Sequence, residues 1–502
     1  MRMRDNIVRM SIPFGVIVVV GLGIFVRCSF VLHKNLWLDE SLTFAHSQFS
    51  LHDLVLQKNA YWDYNHPPGY FLMIKFWSFF NTSEFFLRLP SVLFYVVGAY
   101  FLKKITDFFW PRYIALILLT YYSFHPLIVQ LGTEVKMYSV MIGINIVIIY
   151  LLVRFFSRPK NWFVVNGLIL LPALGFYIDY SAIWIIATIM VMAVFLIVRG
   201  HPLKSVLLTI SISICLFIIP QIIVMMSHLD EIKFLTSTQH SSGDLRRLGL
   251  GLFAMYTGLA HWAWESGQFK VIIFNPITGF AQKITGLAQS SMMSLVLFGP
   301  MVSMLLFFYT SIATRGKKSL LYLMTFVGMS LPIVIPILFY FSGQNVIHVR
   351  NQIQVVLFMI LAMGLMLDRF KLSNHVKIAS GILFIVIFGS FFHAIRNDYV
   401  KTEIDWKKVR RQAENGCNVV YFGQPKQGNT PFHEMSPFTD YYSRYPYPIF
   451  SKTLMIETKK QVEFSQRNNF SGCVLTFVGA PVYEEVMNEY CLERRCEKYY
   501  FY

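Results

Sequence analysis

The side chains able to do chemistry gather at a few points along the 502-residue chain. Trp37-Leu38-Asp39-Glu40 offers two adjacent carboxylates, and Asp63, His66, Pro67, Pro68 and Gly69 follow. Next come Glu84 and Arg88-Leu89-Pro90-Ser91, then Gly132-Thr133-Glu134-Val135-Lys136-Met137-Tyr138, then Asp179-Tyr180. His348 and Arg350 close the set. A carboxylate within hydrogen-bond reach of a hydroxyl can take its proton as that hydroxyl attacks. Arginine and lysine can receive a departing anion, arginine through a planar two-pronged fork. Carboxylate and imidazole together, as in Asp63, His66 and Glu134, suit a divalent cation.

These residues must be positioned by membrane-spanning elements. Hydrophobic residues make up 55% of the chain and charged ones only 14%, against about a quarter charged in soluble domains. A soluble enzyme is thereby excluded. Apolar runs long enough to span a bilayer lie near 11–32, 84–102, 113–128, 138–156, 161–178, 181–198, 205–226, 290–313, 319–341, 353–367 and 376–395. The first is preceded by Arg2, Arg4 and Arg9 and ends without a small-residue cleavage pattern, so it reads as a retained helix. Every second connection is short and basic: Lys103, Lys104 and Arg112; Arg154, Arg158 and Lys160; Arg199 and Lys204; Arg315, Lys317 and Lys318; Arg369, Lys371 and Lys377. The positive-inside rule places those loops in the cytoplasm and predicts eleven spans with the C-terminus outside. The same rule accounts for the net charge of +17. No basic stripe with interleaved aromatics lies outside the spans, so no nucleic-acid partner is implied. Arg27, near the outer end of the first run, reads as a snorkelling side chain.

The apolar run 68–80 is too short to cross and reads as an interfacial helix on the outer leaflet. The stretch 248–264 reads as re-entrant or interfacial. Three outer regions are then large: 33–83, 227–289 and 396–502. The fold expected is an all-α polytopic membrane domain over 1–395 and a small extracytoplasmic α/β domain over 396–502. Strands are predicted in the latter at Asn418–Phe422 and Cys473–Val478, and helices near Trp406–Glu414 and Pro481–Tyr490. Its Cys417, Cys473, Cys491 and Cys496 allow two disulfides in an oxidising compartment.

All the chemistry-bearing residues fall on the outer side, and their order resembles one family. An Asp-Glu pair follows the first span (Asp39-Glu40), then an Asp-x-x-His-Pro-Pro stretch (Asp63 to Pro68). An Arg-Leu-Pro-Ser opening to the next span (Arg88 to Ser91) precedes a Glu-x-x-Met-Tyr segment (Glu134 to Tyr138). The pattern resembles the membrane-embedded C-type (GT-C) glycosyltransferases that use polyprenyl-phosphate sugars, in the branch with protein O-mannosyltransferases and the lipid A aminoarabinose transferase. The motif-bearing resemblance covers roughly 25–200. It implies a GT-C fold, a polyprenyl-phosphate-sugar donor and a lipid, glycan or protein acceptor. It also implies Asp39 as the base that receives or orients the acceptor hydroxyl, with Glu40 and Glu134 as further carboxylates of the site. Arg350 is the foremost phosphate ligand, assisted by His348, with Arg88 and Lys136 competing for that role. Asp63, His66 and Glu134 would hold a divalent metal, if the reaction uses one.

Plainer readings stand beside these. Asp39 precedes the helical pattern of Ser41 to Gln57 and suits an N-cap. His66, before a proline, is held extended and can bond the backbone. Asp179 reads as an interfacial loop residue that could line the same site. The expected protein is a multi-pass hexosyl- or pentosyltransferase of a bacterial-type inner membrane, in contact with membrane lipid, its site and C-terminus extracytoplasmic. A protein O-mannosyltransferase using dolichyl-phosphate-mannose is the nearest alternative. A transporter or flippase of lipid-linked substrates is the alternative of another class, but it would show repeats and mid-membrane ionisable groups.

Overall fold

Uniformly apolar runs can satisfy their backbone in lipid only as helices or closed barrels. The computed structural model of the chain is accordingly helical through most of the residues it describes: 2–33, 36, 38–56, 66–228, 260–265, 268–274, 281–282, 309–310, 317–341, 354–369, 418–422, 454–456, 474–478 and 496–500. The chain divides into two units. One comprises Met1–Leu32, Ser50–His261 and Val271–Ala394, the other His33–Phe49, Trp262–Lys270 and Ile395–Tyr502.

The described helices begin with α1 (Arg2–His33), α2 (Leu38–Ser47), α3 (Leu51–Leu56), α4 (Gly69–Ser78), α5 (Glu84–Phe109), α6 (Arg112–Phe124) and α7 (Pro126–Leu131). They continue with α8 (Met137–Phe155), α9 (Trp162–Ile178), α10 (Ile183–Val198), α11 (Lys204–Ser227), α12 (Lys317–Phe341) and α13 (Gln354–Arg369). Among the described residues six stretches are long and apolar enough to cross a membrane: Gly15–Leu32, Glu84–Phe109, Met137–Phe155, Tyr180–Val198, Lys204–Ser227 and Lys318–Ile335. Trp162–Ile178 and Gln354–Asp368 are apolar but shorter. The spans expected at 290–313 and 376–395 lie outside the described residues, Tyr309 and Thr310 apart.

Burial grades the helices from centre to rim. In α8, 78% of the apolar window is buried, against 33% in α11. Leu208, Ile212, Leu216 and Ile223 of α11 stay exposed, an apolar surface that suits lipid and not water. At one end of the bundle Lys318 Nζ donates to Asp368 Oδ2 at 2.7 Å, tying the start of α12 to the end of α13.

Two expectations about the helices change. The run 113–128 is not one helix: α6 ends at Phe124, His125 is extended (φ −60°, ψ 120°), and α7 restarts at Pro126. Pro126 has no N–H for the ladder and disfavours helical geometry at the residue before it. Arg27 does not snorkel, since its side chain is fully buried and Nη1 donates to the Ser123 carbonyl at 2.9 Å. The run 68–80 forms the ten-residue α4, about 15 Å long and too short to span.

Beside α4, helix α3 opens on a capping arrangement. The Asp53 N–H donates to Ser50 Oγ at 3.1 Å, and that hydroxyl donates back to Asp53 Oδ2 at 2.7 Å. The hydroxyl's hydrogen bond holds the Asp53 carboxyl below its ordinary range.

The strands are β1 (Ala260–Glu265), β2 (Gln268–Phe274), β3 (Ala281–Gln282), β4 (Asn418–Phe422), β5 (Leu454–Ile456), β6 (Val474–Val478) and β7 (Cys496–Tyr500). The end of the 248–264 stretch, read as re-entrant or interfacial, is thus strand from Ala260, and the rest of it lies outside the described residues. In the second unit β4–β7 form a parallel sheet of order β5-β4-β6-β7, with Asn418 opposite Val474 and Val474 opposite Cys496. Strands lie at 418–422 and 474–478, within the runs that read as strand-like in the sequence. The helices read near Trp406–Glu414 and Pro481–Tyr490 fall outside the described residues.

Candidate functional site

The start of α5 sets the first part of the site. Ser83 caps it, Oγ accepting from the Phe86 N–H at 3.4 Å, and Glu84 lies in the first turn, where a negative charge meets the positive helix end. Spacings of four and three then put Glu84, Arg88 and Ser91 on one helix face, and all three are buried. Pro90 has no N–H, so the Phe86 carbonyl four residues earlier loses its helical donor. The Trp77 indole N–H fills that gap at 2.8 Å, and its ring stacks on Phe86 at 4.9 Å. Helix α4 is thereby pinned to α5 through the proline of the Arg-Leu-Pro-Ser segment.

Two serines join this segment to the loop between α7 and α8. Ser91 Oγ donates to the Glu134 carbonyl at 2.7 Å, and Ser139 Oγ on α8 donates to the Ser91 carbonyl at 2.7 Å. Glu134 is 2% exposed and Lys136 7%. Lys136 precedes α8 in extended geometry and makes no cap hydrogen bond with its side chain. It forms no ion pair among the described residues. One junction therefore carries the buried carboxylate of Glu134 and two buried cations, Arg88 and Lys136.

The third motif approaches through α4. A Cβ on Gly69 would stand 2.4 Å from the Tyr177 carbonyl oxygen, so only glycine lets the start of α4 meet the end of α9. This sets the start of α4 against Tyr177 and Ile178, the residues just before Asp179. Asp179 is no free loop residue: its Oδ1 accepts from the Ser181 N–H at 2.7 Å and caps the 3₁₀ turn Tyr180–Ala182. Gln354, which opens α13, donates through Nε2 to the Ser181 carbonyl and, at 3.1 Å, to Ser181 Oγ. The start of α13 is thus fastened at the same turn.

Three of the four motifs are gathered in the first unit, and Asp39-Glu40 lies in the second. Helix α2 begins at Leu38, so Asp39 is its second residue and not the cap ahead of it. The Asp39 side chain lies outside the described residues, as do Asp63, His348 and Arg350. Glu40 is fully buried and His66 half-buried. Among the described residues no group of three His, Cys, Asp or Glu gathers for a metal ion. Of the set Asp63, His66 and Glu134, the first is not among them. Trp77, Ser139 and Gln354 were not legible as site residues. Only Gln354 left a signal, as a polar side chain opening an apolar helical run.

A family model described as dolichyl-phosphate-mannose-protein mannosyltransferase matches residues 65–224, which contain this junction. The fold is shared with ArnT from Cupriavidus metallidurans. In the apo state its TM-score is 0.52 at 10% identity, covering 94% of this chain and 94% of that one. Bound to undecaprenyl phosphate it gives 0.51 at 12% identity, covering 90% and 88%. No curated protein matches in sequence. The chain is a multi-pass membrane protein with the fold of the C-type glycosyltransferases. Its resemblance to the branch with the protein O-mannosyltransferases and the aminoarabinose transferase holds at the level of both fold and motif.

Proposed function

We propose that the chain is a membrane glycosyltransferase, a hexosyl- or pentosyltransferase that moves a sugar from a polyprenyl-phosphate carrier to a lipid, glycan or protein acceptor. The reaction takes place on the extracytoplasmic face of a bacterial-type inner membrane. The observation that supports this most is the serine-fastened junction of Arg88–Ser91 with Glu134–Tyr138, whose two strands of chain each contribute a buried cation. Lys136 as a whole residue is 7% exposed, and a cation so largely withdrawn from water favours an anion that meets it. A phosphate held at membrane depth by a polyprenyl tail is such an anion.

In the reaction the acceptor oxygen attacks the anomeric carbon, and the bond from that carbon to the phosphate oxygen breaks. The bonding pair leaves with the phosphate, where Arg88 and Lys136, with His348 and Arg350 of the last outer loop, meet the charge. The acceptor's proton passes to a carboxylate. The assignment of that role to Asp39, with Glu40 in support, rests on the Asp-Glu motif after the first span.

The family match over 65–224 favours a second reading, a protein O-mannosyltransferase. Mass spectrometry of surface lipids, glycans and secreted proteins from cells with and without the chain separates the two. A sugar missing from a lipid or glycan supports the first, and hexose missing from protein serines and threonines supports the second. An unchanged inventory with altered solute uptake sinks both in favour of a transporter.

A further inference from the structure

Arg27 is a cation inside a membrane-spanning window with no described carboxylate paired to it. Its Nη1 donates to the Gly23 carbonyl at 3.0 Å and the Ser123 carbonyl at 2.9 Å. The guanidinium lies 3.6 Å above the Tyr95 ring. Tyr95 in turn donates to Ser123 Oγ at 2.8 Å and stacks on Tyr122 at 5.5 Å, and Tyr122 donates to the Tyr95 carbonyl at 3.3 Å. Nε and Nη2 of Arg27 have no hydrogen-bond partner among the described residues.

The surrounding backbone is cut back to fit this cluster. A Cβ on Gly23 would stand 2.0 Å from the Tyr95 hydroxyl, and one on Gly98 would stand 2.2 Å from that of Tyr122. A Cβ on Gly132 would stand 2.9 Å from Arg27 Nε and 2.8 Å from the Ile128 carbonyl. Arg27 thus touches the chain twice, at Ser123 just before the α6–α7 break and at Gly132 just after α7.

We infer that Arg27 is a positioning residue that fixes the short helix α7 against α1 and thereby sets the Gly132–Lys136 loop with its Glu134 and Lys136. The last carbonyls of α6 lack helical donors, and a positive charge at a helix C-terminus complements its dipole. Arginine supplies both the donor and the charge. Anchors on either side of a six-residue helix leave that helix no sliding freedom relative to α1. The unfilled Nε and Nη2 show that fold stability alone does not account for the residue. An apolar side chain of similar length would avoid burying them, but it would bond neither Ser123 nor the dipole.

The inference rests on the glycosyltransferase reading only for why the loop must be held, so the test needs a readout independent of it. Hydrogen exchange is followed by mass spectrometry on the full chain in nanodiscs, for Arg27→Met and Arg27→Lys. In Arg27→Met the amides of 129–137 should exchange at least tenfold faster while those of 183–198 are unchanged. Lysine, keeping the charge and one donor, should restore about half of that protection on a logarithmic scale. Should Arg27→Met fail to fold, Arg27→Lys carries the test by itself and should speed exchange of the same amides about threefold, half of the tenfold change on a logarithmic scale. Unchanged exchange over 129–137, or equal acceleration in 183–198, would overturn the inference. Undecaprenyl phosphate binding is measured alongside and should weaken several-fold in Arg27→Met. Faster loop exchange with unaltered binding upholds the positioning role and counts against the loop as a phosphate site.

Discussion

Replacing Lys136 by methionine should move binding and stability in opposite directions. Lys136 is 7% exposed and has no ion-pair partner among the described residues, so in the empty protein its charge is a cost. Methionine has similar length and removes that charge, so unfolding of the lipid-free protein should be unchanged or shifted upward, by about 1–3 kcal/mol. A phosphate oxygen about 4 Å from the ammonium gains about 4 kcal/mol at an effective dielectric near 20. After desolvation about 1.5–3 kcal/mol remains, the usual worth of a hydrogen bond to a charged group. Undecaprenyl phosphate should therefore bind about 10–150-fold more weakly to Lys136→Met. The measurement is titration of the lipid phosphate into the full chain in phosphatidylcholine nanodiscs, paired with thermal unfolding before lipid is added. Lys136→Arg should keep most of the affinity, because the charge is retained. The reasoning fails if Lys136→Met loses stability while binding is unaltered, for then the ammonium serves the fold and not a ligand.

Three further outcomes follow from the same geometry. Asp39→Asn removes a first-turn charge worth about 0.3–1 kcal/mol to the helix; the protein should fold and bind lipid phosphate, yet sugar transfer in complemented cells should fall about 10²–10⁴-fold, and wild-type transfer would take Asp39 out of the mechanism. Gly69→Ala should lower stability by about 1–3 kcal/mol, since its Cβ would meet the Tyr177 carbonyl at 2.4 Å; Gly21→Ala, with nothing within 4 Å, should be neutral or slightly stabilising in the same thermal assay. Trp77→Phe should cost about 1–3 kcal/mol by orphaning the Phe86 carbonyl. Adding Pro90→Ala should recover part of that loss by supplying an N–H, and strict additivity of the two changes would mean the indole does not stand in for the missing helical donor.

Much of this protein was settled along the chain itself. Membrane helices follow from local apolar length, because lipid leaves the backbone no choice but to bond internally; α5, α8, α10, α11 and α12 lie where their runs are. The break at His125–Pro126 has a local contributor in its proline, but Pro90 lies inside the unbroken α5, so proline alone does not decide where a helix ends. Strands at 418–422 and 474–478 lie within short runs that already read as strand-like. The motifs could be read as a set because each is a short string of unlike polar residues beside an apolar run. What the sequence could not supply was any fact about partners distant in the chain. Whether Arg27 reaches water depends on what packs against α1, and Ser123 lies 96 residues away. Ser91 meets Glu134 across 43 residues and Gln354 meets Ser181 across 173. The order of polar residues fixed which groups could react, whereas only helix packing decided which of them lost solvent and which carbonyls they found. A hydrogen bond is a matter of a few tenths of an ångström in space, and spacing along the chain carries no such information.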